Sequence, residues 1–137
     1  NKSTLTYEEE KPVGLIGEFE RELTLTDLDK FLKEKLQVGK ITYYGREDRN
    51  IKKVAILGGS GSDFISQANK AGVDAYITSD IKYHDGQRAY EDDLILIDVG
   101  HFYSERIILQ KIKKKLQENF MDLDFYIQES SSFELDI

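Results

Sequence analysis

Cysteine is absent from the 137 residues. No disulfide and no thiolate metal site is therefore open to the chain, and any metal must be held by His, Asp, Glu, backbone oxygens or water. Histidine is nearly absent too: His84 and His101 are the only two. Long apolar runs are missing, with nothing near the ~18 residues that read as a bilayer span. No membrane partner is expected, and a cytoplasmic location is. Positive charge is in deficit, the net charge being -7. An acidic chain is a poor nucleic-acid binder, because phosphate contacts need clustered Lys and Arg. The densest basic run, Lys111 with Lys113, Lys114 and Lys115, falls on a helical pattern and reads either as a solvated face or as a polyanion site.

What remains is ordinary for a globular protein: 33% charged and 39% hydrophobic residues, in a length suited to one core. Residues 1–11 read as a flexible lead-in, 12–128 as one α/β domain and 129–137 as a polar tail. Pro12–Phe19 reads as a strand. Leu28, Phe31, Leu32 and Leu36 follow at helical spacing over about 26–37, with Gly39 as the stop. Ile41–Tyr44 is rich in strand formers.

From Lys53 a strand–loop–helix unit recurs. Val54–Leu57, Asp74–Thr78 and Leu94–Val99 are apolar strands. The helices that follow them are expected over Asp63–Ala71, 86–91 and 102–120. In the last helix Ile108, Ile112, Leu116 and Phe120 are spaced by four. Met121–Ile127 alternates apolar and polar residues and reads as a half-buried strand, antiparallel or at an edge. The expected fold class is α/β: a predominantly parallel sheet with three β-loop-α units, flanking strands at the N- and C-terminal ends, and helices packed on the sheet.

Ligands of parallel α/β sheets bind beyond the carboxyl ends of the strands, and each such end here carries polar groups. The first is a glycine loop, Gly58, Gly59, Ser60 and Gly61. It matches neither a P-loop nor the G-x-G-x-x-G pattern. It can present backbone N–H groups to a nucleotide or other phosphate-bearing small molecule, or it is simply a tight strand-to-helix turn. The second end places Asp80, His84 and Asp85 close together, with Lys82 and Arg88 nearby to meet an anion or neutralise the acids. Asp80 and His84 are candidate acid–base groups, and His84 fits equally well as a capping or solvent-facing residue. The third end carries Asp98, Gly100, His101, Ser104 and Glu105. His101 and Glu105 are four apart and share one helix face, which suits two ligands of one cation and also an ordinary surface pair. Asp98 is placed to orient His101.

Taken together, Tyr76–Asp85 and Ile97–Glu105, preceded by Val54–Ser62 and Gly14–Glu18, resemble the C-terminal half of the NGG-interacting-factor-three family. Many of its members are named GTP cyclohydrolase one, type two homologues. The resemblance covers about residues 12–128. It implies a dinuclear metal centre in which the histidine and glutamate of a G-H-x-x-[ST]-E motif are ligands, at His101 and Glu105 here. The implied cofactor is a divalent metal (zinc, manganese or iron), with two ions in the complete protein. The family's remaining ligands come from an N-terminal half with paired histidines, and no histidine precedes His84 in this chain. The metal site is thus expected to be incomplete here, and any cyclohydrolase-like activity absent from this chain alone. Family members form ring-like hexamers, so the implied partners are a homo-oligomer or an N-terminal half. A non-catalytic nucleotide-binding or interaction module is the alternative.

Overall fold

The computed structural model of the chain describes residues 2–128; the polar tail expected over 129–137 lies outside the described residues. The apolar runs found in the sequence form its centre. β4 (Ile51–Ser60), β5 (Ala75–Ser79) and β6 (Ile95–Asp98) lie side by side and parallel, with Ala55 opposite Tyr76 and Tyr76 opposite Leu96. β5 is buried along its whole length, as a strand covered on both faces must be.

Antiparallel strands extend the sheet on both sides. β2 (Lys11–Leu23) pairs with β4, and β1 (Lys2–Glu8) pairs with β2. At the far side β3 (Thr42–Tyr44) pairs with β6, which gives the strand order β1-β2-β4-β5-β6-β3. The lead-in therefore contains a paired strand. Only Leu5 of β1 reaches the core, so its apolar signal is a single residue in a polar segment. The hairpin turn uses Glu9 and Glu10, both at positive φ, where Asn-Gly would have advertised it.

The C-terminal alternation has a different outcome. Residues 121–128 form no strand and leave Met121, Leu123 and Tyr126 exposed. The two edges of the sheet belong to β1 and β3, so the flanking strand on the β6 side comes from the middle of the sequence.

Side chains alternate between two cores. One face gathers Val54, Ala75, Ile77, Ile95 and Ile97 under Leu28 and Leu32 of α1 (Leu25–Leu36). Thr24 caps this helix by accepting from Asp27 N at 3.1 Å. Gln37, in the left-handed conformation, ends it two residues before Gly39. The other face gathers Ala55, Tyr76 and Leu96 under α2 (Ile65–Lys70) and α3 (Tyr83–Glu91).

α4 (His101–Asn119) runs against β4, β5 and α1 but buries none of its residues fully. Ile108, Ile112 and Phe120, of the apolar residues spaced by four, are 50%, 46% and 52% exposed. Their spacing makes an amphipathic helix; it does not supply a partner for the apolar side. No helix among the described residues is long and apolar enough to cross a membrane.

Candidate metal centre at the strand ends

The parallel strands end on one rim, and α4 begins there. Gly100, at φ 77, turns the chain out of β6 so that His101 opens the helix. His101 and Glu105 then stand one turn apart, with His101 Nε2 3.3 Å from Glu105 Oε2. The other ring nitrogen, Nδ1, lies 2.7 Å from Asp80 Oδ2. The imidazole is thus held between two carboxylates. The Asp80 hydrogen bond first, then the charge of Glu105, hold its pKa above the ordinary histidine value. All three side chains are about half exposed.

Asp98 takes a different part from the one expected. Its Oδ2 accepts from Ile81 N and its Oδ1 from Gly100 N, each at 3.0 Å. It ties the loop after β5 to the end of β6, and Asp80 is the residue that meets His101. Asp80 reaches it because its backbone sits at φ 59, a conformation open to few residues other than Gly, Asn and Asp. Nothing in local spacing signals that reach across 21 residues.

Of the glycine loop, Gly58, Gly59 and Ser60 continue β4, and a short 3-10 turn begins only at Ser62. Gly59 N donates to Ser104 Oγ at 2.9 Å, so this N–H is already engaged. Gly61 is buried, and a side chain there would run into Thr78 and Tyr76. Gly59 instead faces the imidazole. A Cβ at Gly59 would lie 2.6 Å from Glu105 Oε1 and 3.3 Å from His101 Nε2. Because residue 59 is glycine, the point between the two donors is open. Gly58 lines a groove of about 590 Å³ beside Glu105, walled by Phe102, Ile107 and Ile108.

His84 lies apart from this cluster. It is exposed in the first turn of α3, edge-on to Tyr83 at 5.7 Å, and shares no hydrogen bond with His101, Asp80 or Glu105.

The donor set fits part of a cation site. Two ligands of one tetrahedral zinc lie about 3.4 Å apart when each metal–ligand bond is about 2.1 Å, close to the Nε2–Oε2 separation. Asp80 is on the opposite nitrogen, where it would orient the ring rather than ligate. Among the described residues no three His, Asp or Glu side chains converge into a cage.

The family described as Duf34/NIF3 (NGG1p interacting factor 3) matches residues 2–133. A Staphylococcus epidermidis protein named GTP cyclohydrolase 1 type 2 homolog is 37% identical over 114 residues, covering 83% of this chain and 31% of its own length. A Clostridium perfringens protein of the same name is 35% identical over 123 residues, covering 89% of this chain and 47% of itself. The chain thus spans less than half the length of either. In the crystal structure of a Bacillus cereus protein related to NIF3, 34% of that chain superposes on 88% of this one, with a TM-score of 0.75 and 28% identity. The chain belongs to the Duf34/NIF3 family.

Proposed function

We propose that the rim forms part of a divalent-metal centre in a hydrolase-like protein of the GTP cyclohydrolase 1 type 2 homolog kind. His101 Nε2 and the Glu105 carboxylate would hold the cation. Further ligands, and a second ion, would come from outside the described residues. The observation that carries this reading is the open point in front of Gly59, faced by one imidazole nitrogen and one carboxylate. A bound zinc, manganese or iron ion would supply Lewis-acid polarisation of a substrate oxygen.

The chain's own residues do the rest. The Asp80 carboxylate would accept from Nδ1–H of the neutral His101 ring, which would turn the Nε2 lone pair to the cation. The groove beside Gly58 and Glu105 gives a substrate an apolar wall next to that point.

The test is isothermal calorimetry with zinc. Wild type is expected to bind at one His101-dependent site, weakly because two protein ligands are few. His101→Ala and Glu105→Ala are each expected to abolish the heat. Identical titrations for all three proteins would sink the reading.

A second reading, an association surface, draws on the apolar residues of α4. Ile107, Ile108, Leu109 and Ile112 are each partly exposed. Light scattering that finds a monomer at every concentration would remove it.

A further inference from the structure

Beneath the exposed imidazole lies a partly buried polar cluster, and Ser104 is its hub. Its hydroxyl lies 2.9 Å from Gly59 N, 2.8 Å from His101 O and 3.2 Å from Ser79 Oγ. A hydroxyl has one proton and two lone pairs. The Gly59 N–H fills one lone pair, and the Ser104 proton goes to the His101 carbonyl. Ser79, fully buried, must therefore donate to the second lone pair. Every bonding position of Ser104 is then used, and each bond goes to a different element: β4, β5 and the first turn of α4.

The backbones meet as closely. A Cβ at Gly58 would come within 3.2 Å of Ser104 O. On the other side of Gly59, Thr78 Oγ1 donates to its carbonyl at 3.2 Å. Ser104 also lies between the two proposed ligands in sequence, three residues after His101 and one before Glu105.

We infer that Ser104 is a positioning residue. Through the Gly59 N–H and the Ser79 hydroxyl it fixes where α4 starts over β4, and so sets the distance of the His101–Glu105 pair from the open point at Gly59. This rests on the metal-centre reading. Removing the hydroxyl frees the helix start to move and leaves two buried donors unpaired.

The test uses cobalt(II) as the probe, read by its visible absorption and by titration. Circular dichroism and thermal melts are followed on the metal-free proteins. In Ser104→Ala, cobalt binding is expected to weaken by about 10–100-fold, the range for losing an outer hydrogen bond at a metal site, with an altered band shape at saturation. Ser104→Thr, which restores a hydroxyl, is expected to recover the wild-type spectrum and affinity. Equal affinity and spectrum in Ser104→Ala and wild type would overturn the inference. So would a Ser104→Thr protein that behaves as Ser104→Ala does. A wild-type protein giving no cobalt band overturns the metal-centre reading itself, and this inference with it, before any variant is compared. Should Ser104→Ala fail to fold, Ser79→Ala removes a single bond of the cluster. Weakened cobalt binding there supports the inference, and unchanged binding overturns it.

Discussion

The two ends of the parallel strands carry charge in opposite arrangements. At the amino ends Arg46 and Arg49 face Asp74 and Asp93. Arg49 lies 2.9 Å from an Asp93 carboxylate oxygen and 3.8 Å from Asp74, and Arg46 lies 3.6 Å from Asp93. Cation and anion are matched there, and Asp74 is further engaged by Lys52 N and Lys53 N. At the carboxyl ends Asp80 and Glu105 flank one imidazole, while Asp98 accepts from two backbone N–H groups. The first end is a closed fastening. The second has acid in excess and an open point at Gly59, an imbalance that a bound cation would relieve.

Filling the open point should break this contrast most sharply. Gly59→Val puts a branched side chain against Glu105 and His101, at a backbone angle valine adopts poorly. Zinc binding by calorimetry is expected to fall by more than about 100-fold, beyond the range for an outer hydrogen bond. Asp80→Asn keeps the shape but weakens the acceptor on Nδ1. Zinc affinity should drop by about 10-fold with the fold intact. Asp98→Ala tests the opposite kind of role at the same end. Two backbone N–H groups lose their acceptor, and urea denaturation should show a loss of about 1–3 kcal/mol. Arg49→Ala at the matched end should cost about 1 kcal/mol and leave zinc binding unchanged. If it altered the metal as much as Asp80→Asn, the two ends would not be independent.

The smallest effect is in pH. His101 has a raised folded pKa, so its contribution to metal-free stability is complete below the unfolded value of about 6.5. It is lost as pH rises through the raised value. Asp80→Asn should move the His101 midpoint, followed by NMR, back toward the unfolded value. A midpoint that stayed put would assign the shift to Glu105.

The parallel centre was legible because buried strands are written as apolar runs and each is followed by a break and a helical pattern. β1 was not, since one leucine among hydroxyl and charged residues carries almost no pattern. The glycines of β4 read as a loop because glycine weakens a strand. Here they let α4 approach, a reason visible only once Ser104 and Glu105 lie over them. The His101–Glu105 pair is local and could be read from spacing. Its acceptor could not: Asp80 follows β5 and Asp98 ends β6, and only the backbone turn at Asp80 decides which carboxylate meets the ring. Ser104 had one signal, a hydroxyl residue between the two candidate ligands, and no partner could be assigned to it from sequence.

Asp80 has a consequence for anyone improving this protein by selection. Its left-handed backbone is one that glycine adopts without steric cost. A screen for thermal resistance run above the raised His101 pKa would thus find Asp80→Gly acceptable, while the imidazole lost its anchor. At this position robustness and chemistry ask for different amino acids. A stability-ranked library would discard the residue on which the orientation of His101 depends.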